Sequence, residues 1–159
     1  LVVGSLGKLY LHHGLGMGYC AGPEELMREF LNVHQALLHN AMAPLQLFFA
    51  QKLAHDSNFA QPPESLQEKR DMLASGLEGT RWKLRPAEGT YFQILDYSAI
   101  SQADDLQFAR ELAAKHGVAT LPLSVFSREV QNCTSLRVCF LRQEATLAQA
   151  IEKLRAAGR

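Results

Sequence analysis

An α/β fold, with helices laid against a small sheet, is what this sequence predicts, and three observations carry the prediction. Apolar residues recur at helical spacing in several separate segments, a segment near the C-terminus alternates apolar and polar residues as a half-buried strand does, and the two kinds of segment alternate along the chain. The composition supports a core: of 159 residues, 47% are hydrophobic and 20% charged. A chain of this length buries roughly two thirds of its unfolded surface.

Leu1-Val2-Val3 reads as the end of a buried strand, and Gly4-Ser5-Leu6-Gly7-Lys8 as the turn that follows it. Gly14, Gly16 and Gly18 then form a second turn that enters a strand at Tyr19-Cys20. Pro23 suits the first turn of a helix running to about Leu38, with Leu26, Phe30, Val33 and Leu37 on its inward face. Pro44 opens another helix, with Leu45, Phe48, Phe49 and Leu53 apolar, and Asn58 to Pro63 reads as a linker at a domain boundary. The spacing predicts a helix over Glu64–Leu77, ending near Gly76 to Gly79. Trp82 with Leu84, and Tyr91 to Leu95, read as strands around a turn at Pro86–Gly89. Asp104 or Asp105 caps the next helix, whose Leu106, Ala109, Leu112 and Ala113 face inward and whose end is marked by Gly117. Val118 to Leu121 is a short strand, Ser135 to Phe140 a longer one, and Glu144 to Ala156 a closing helix on Leu147, Ile151 and Leu154. The resulting domains are 1–60 and 61–159.

Charge and cysteine usage exclude several classes. Sixteen basic and sixteen acidic residues cancel and form no basic track, which leaves neither nucleic acid nor an anionic membrane as the expected partner. Cys20, Cys133 and Cys139 are an odd set without Cys-x-x-Cys spacing, so reduced thiols in a cytoplasm are expected rather than a disulfide framework or a metal site. No run approaches the roughly 20 apolar residues of a membrane span, and no basic region precedes a cleavable stretch at the start. The chain opens without methionine inside a strand, and the expectation is a partial chain.

The chemistry centres on Lys8. A primary amine condenses reversibly with an aldehyde, and it acts as a nucleophile once desolvated or placed beside another cation. A phosphate-cradling P-loop is rejected: the glycine required five residues before Gly7 is Val2, and the hydroxyl residue required after the lysine is Leu9. The Gly14, Gly16, Gly18 alternation lacks the order of a dinucleotide fingerprint. Taken alone, Gly7-Lys8 is a solvated lysine in a glycine turn. Arg137, facing opposite to Leu136 and Val138, must find solvent or a partner, and its guanidinium matches a carboxylate bidentately.

The Ser5-x-x-Lys8 segment after a strand, with Tyr19-Cys20, Val33-His34-Gln35, Gln67-Glu68-Lys69-Arg70-Asp71, Glu88-Gly89-Thr90-Tyr91-Phe92, His116-Gly117-Val118, Leu121-Pro122-Leu123-Ser124-Val125-Phe126 and Leu136-Arg137-Val138-Cys139-Phe140, occurs in an order that resembles the class I aminotransferases. The likeness is greatest to the methionine, kynurenine and glutamine branch. It implies that 1–60 is the end of the large cofactor-binding domain and 61–159 the small C-terminal domain. It further implies pyridoxal phosphate as cofactor, attached covalently to Lys8, with Ser5 at its phosphate and Arg137 on the substrate α-carboxylate. Tyr91, Phe92 and Phe126 would line the substrate pocket. An amino acid and a 2-oxo acid would be the substrates, and a homodimer the assembly. Two departures stand out. Gly16 replaces a lysine or arginine that neutralises the phosphate, with Leu15 for the usual tryptophan and Leu9 for a small hydroxyl residue; His12 and His13 lie nearby. All that the family places before the lysine is absent. The alternative to a working transaminase is therefore a non-catalytic remnant of the fold.

Overall fold

The computed structural model describes residues 1–9, 14–38, 40–55, 64–127 and 133–159, and of Leu9 and Glu64 the backbone alone. By contacts the chain divides into two units, Leu1–Pro62 and Pro63–Arg159. The expected linker at Asn58–Pro63 and the histidines His12 and His13 lie outside the described residues.

The first unit opens with strand β1 (Val2–Ser5), a single helical turn α1 (Leu6–Leu9) and strand β2 (Gly18–Ala21), which pairs antiparallel with β1 so that Ser5 faces Gly18 and Gly4 faces Tyr19. The strand thus extends beyond Val3, and Lys8 sits in a helical turn rather than an open loop. Helix α2 (Glu24–Leu37) follows, then α3 (Ala43–His55). Pro23 is the residue before α2, and Pro44 lies in the first turn of α3, where a missing N–H costs nothing. The apolar stripe on α2 is present, but it does not face inward: α2 buries none of its side chains, and Leu26, Val33 and Leu37 are exposed. Met17 and Phe49 are the apolar side chains that this unit buries among its described residues.

The second unit is a three-stranded antiparallel sheet with helices on one face. Helix α4 (Glu64–Gly76) precedes strand β3 (Phe92–Asp96); helix α5 (Asp105–Glu111) runs on as a wider π-type turn, Leu112–His116. Then come the two-residue strand β4 (Leu121–Pro122), a 3-10 turn at Leu123–Phe126, strand β5 (Ser135–Cys139) and helix α6 (Glu144–Ala157). The strand order is β3-β5-β4, which puts β5 in the centre. Two expected strands are shorter than anticipated. Around Trp82 and Leu84 there is a single bridge, Lys83 to Asp96, and of Val118 to Leu121 only the last residue joins the sheet. Both segments lie at the sheet's margins, and neither alternates for long enough to sustain a ladder.

Alternation on β3 and β5 turns Gln93, Leu95, Leu136 and Val138 into the core, where Leu73, Leu112, Phe140, Leu147 and Leu154 are also buried. Trp82 seals one edge, and its indole N–H donates to the Leu154 carbonyl at 2.7 Å. Buried Gln93 is satisfied on both sides of its amide: its oxygen accepts from the Ala87 N–H at 3.0 Å, and its nitrogen donates to the Arg85 carbonyl at 2.8 Å. The inward face of α5 is Asp105, Phe108, Ala109 and, at the turn after it, Leu112. Leu106 and Ala113, expected inside, are exposed. Asp104 caps the helix, accepting from the Gln107 N–H at 2.8 Å, and Gly117 ends it in the left-handed region at φ 65°.

Candidate active site

The candidate residues of the first unit gather where β1 ends. A Cβ at Gly4 would land on the ring of Tyr19, so glycine is what lets that ring lie across the strand. Ser5, the last strand residue, then acts as the cap of α1: its hydroxyl oxygen accepts from the Lys8 N–H at 3.4 Å. The Leu6 N–H donates to the Met17 carbonyl at 2.9 Å, which ties the start of the turn to the buried Met17 just before β2. The structure therefore brings Ser5 and Lys8 together, with the Lys8 side chain exposed and the serine proton left to donate. Gly16 is also exposed, a Cβ there would meet nothing within 4 Å among the described residues, and its backbone is not in the left-handed region.

Arg137 belongs to the second unit. It occupies the middle of the central strand, opposite Ile94 on β3 and Leu121 on β4, on the half-buried face that alternation also gives to Phe92 and Cys139. Its guanidinium carbon lies 4.8 Å from the centroid of Phe92 and 5.4 Å from that of Phe126. Two aromatic faces hold the cation. Among the described residues no carboxylate pairs with it; Arg81, Arg110, Arg142 and Arg155 likewise have none, and what sets Arg137 apart is its place over two rings on a half-buried sheet face. Tyr91 meets the Phe92 ring edge-on at 5.7 Å.

Sequence reasoning missed the support behind Phe126. That ring stands on the 3-10 turn, and Asp105, 3% exposed, holds the turn with two bonds of 2.7 Å, from the Ser124 N–H and from the Ser124 hydroxyl. Burial works to raise the Asp105 pKa, but hydrogen bonds from the Ser124 N–H and hydroxyl, the Cys133 thiol and the Leu106 N–H together outweigh it and hold the carboxyl below its ordinary range. The signal was available in the periodicity. Positions 105, 108, 109 and 112 make the inward pattern of a helix, and an aspartate in that stripe demands a buried donor.

Fold and candidate residues together define two pieces: a strand running into a helical turn that carries Lys8 behind the capping Ser5, and a small α/β unit whose Arg137 has no carboxylate partner among the described residues. The model for aminotransferase class I and II matches residues 1–154, and the chain belongs to that family. It is 40% identical over 156 residues to the methionine aminotransferase of Escherichia coli, covering 98% of this chain and 40% of that protein. It is 27% identical over 177 residues to human kynurenine–oxoglutarate transaminase 1, with 98% and 42% covered. The crystal structure of an Escherichia coli methionine aminotransferase superposes with a TM-score of 0.86 at 39% identity, over 97% of this chain and 41% of the other. N-succinyldiaminopimelate aminotransferase from Mycobacterium tuberculosis gives 0.85 at 30%, with 98% and 41% covered. The chain thus spans about 40% of the length of the relatives it matches.

Proposed function

We propose that this chain is the C-terminal portion of a pyridoxal-phosphate-dependent aminotransferase that moves an amino group between an amino acid and a 2-oxo acid. The observation that carries the reading is the half-buried Arg137 guanidinium, held between two rings with no acidic partner among the described residues. Such a group is a preorganised receptor for a carboxylate. Residues 1–60 form the end of the large domain in this reading, and 61–159 the small domain. The names of the relatives favour methionine or the aromatic kynurenine, and the resemblance in sequence adds glutamine-like amino acids. Cytoplasmic location and a homodimer complete the proposal, the former supported by three unpaired cysteines.

The donor set fits the cofactor. Lys8 offers an exposed primary amine, and Ser5 beside it offers a hydroxyl proton to an anion. Pyridoxal phosphate supplies, when bound, an aldehyde and an electron sink that acidifies the substrate Cα–H. Lys8 would anchor it covalently and then, as a free amine, carry a proton from the substrate Cα to the carbon that bore the cofactor's aldehyde. Ser5 would donate to the phosphate. Arg137 would grip the α-carboxylate bidentately and hold the substrate in one orientation. Gly16 favours the second reading, a non-catalytic remnant, because it puts no cation where the family carries one.

Borohydride reduction of the complete protein followed by peptide mass mapping tests the reading. The pyridoxyl group is expected on Lys8, and the protein is expected to turn over methionine with a 2-oxo acid. Label on another lysine overturns the assignment of Lys8, and label on Lys8 without turnover of any amino acid selects the remnant.

A further inference from the structure

The turn that carries Phe126 follows directly on β4, and at Ser124 it is pinned by a side chain that lies in the core. Phe126 itself is exposed, and its turn has no buried side chain of its own. The 3-10 turn Leu123–Phe126 offers its backbone few partners, and the Ser127 N–H returns to the Ser124 carbonyl at 3.2 Å. Asp105, buried at the head of α5, ties the middle of the turn to the fold through both donors of Ser124. Charge-assisted bonds of this length are about twice as strong as neutral ones. Two residues beyond Ser124 the chain presents Phe126 to Arg137, which also lies over the ring of Phe92 on β3, an element placed by the sheet. One wall of the guanidinium slot is therefore set by the sheet, and the other by a buried carboxylate.

We propose that Asp105 and Ser124 are positioning residues for substrate binding: by fixing the turn that bears Phe126 they hold the Arg137 guanidinium in the orientation that receives a carboxylate. This rests on the reading of Arg137 given above, but the positioning step is open to a test of its own. Asp105 touches no substrate in this scheme, and its effect passes through Arg137.

Two measurements separate the claims. In the 159-residue chain, the ring currents of Phe92 and Phe126 should displace the Arg137 side-chain proton resonances upfield. Asp105→Ala, Asp105→Asn and Ser124→Ala should each return them toward ordinary values while leaving the signals of β3 in place. Should Asp105→Ala fail to fold, the isosteric Asp105→Asn and the milder Ser124→Ala decide. Unchanged Arg137 resonances in folded variants overturn the proposal, whatever the enzyme does. In the complete protein, Asp105→Asn should raise KM for amino acids roughly tenfold with kcat changed far less, since a misplaced binding group costs binding first. In an Arg137→Ala background the same substitution should add nothing further to KM, because the two residues act as one unit. A full, additive effect in that background would show that Asp105 acts on general stability and would sink the inference. An Arg137→Ala protein with unaltered kcat/KM would instead remove the carboxylate receptor from the proposed function, leaving the resonance experiment to judge the positioning.

Discussion

Gly16 is one of three positions, with Leu9 and Leu15, at which the sequence departs from the pattern it resembles. The structure makes the position testable, because a side chain added there enters open space and the backbone does not occupy the left-handed region that would resist one. Lysine can therefore be installed without strain. If Ser5 lies at the cofactor phosphate, Gly16→Lys supplies the missing cation, and a charge-assisted bond to phosphate is typically worth about 1.5–3 kcal/mol. Equilibrium dialysis of pyridoxal phosphate against the complete protein should show binding tighter by one to two decades, roughly the same energy expressed as a dissociation constant. The melting temperature should not move. Equal or weaker binding in a well-folded variant would place the phosphate away from residue 16. Gly4 is the opposite case: a Cβ there meets the outer end of the exposed Tyr19 ring, which would have to swing away, so it is no site for the same experiment.

The helix ends are where individual elements can be probed, and α5 with its π-type turn ends most sharply. The Gly117 N–H donates to the Ala113 carbonyl at 3.1 Å and the Val118 N–H to that of Leu112 at 3.3 Å, a closure that needs the left-handed φ of 65° at Gly117. A Cβ there would meet only the Lys153 amine, 3.4 Å away at the end of a flexible side chain, so the cost of Gly117→Ala is a backbone cost. It should destabilise by roughly 1–2 kcal/mol. Urea unfolding followed by Trp82 fluorescence can read it, since Trp82 is the single tryptophan and is buried in the same unit. No change in midpoint would refute the cap. This end was legible in the sequence, as were the helices at Glu24, Ala43, Glu64 and Glu144, because Pro, Gly, Asp and apolar periodicity act within one element. The strand around Trp82 and most of Val118–Leu121 was misread because a short margin segment becomes strand only if a neighbour pairs with it, and pairing is not a local property. Lys8, Ser5 and Arg137 stood out by residue type and order. Asp105 and Ser124 did not, since nineteen positions separate them and their bond exists only in the folded unit.

Across the whole molecule stability is distributed unevenly, and the distribution follows from where apolar surface is covered. In the second unit Leu95, Leu136 and Leu154 are fully buried, and Tyr97 stacks on Phe108 with centroids 4.2 Å apart while its hydroxyl donates to the Ala103 carbonyl at 2.9 Å. In the first, a two-stranded ribbon stands beside a helix that buries nothing, and Leu1, Val2, Val3, Leu31, Leu37 and Leu38 are exposed. A two-stranded ribbon is marginal in water without a third strand or a packed helix, and helices gain most of their stability from burying a face. Opening free energies should differ accordingly. Native-state hydrogen exchange on the 159-residue chain should therefore leave amides of β3 and β5, such as those of Leu95 and Val138, protected up to global unfolding. Those of β1 and α2 should exchange by cheap local opening. The relatives extend well beyond the portion matched here, and the same family supplies the reason to repeat the measurement in the complete protein, where α2 should gain protection if its apolar stripe is covered. Equal protection of both units in the short chain would mean that α2 is stabilised by something other than the burial of its own face, and the exposure of Leu26, Val33 and Leu37 would then be no guide to its stability.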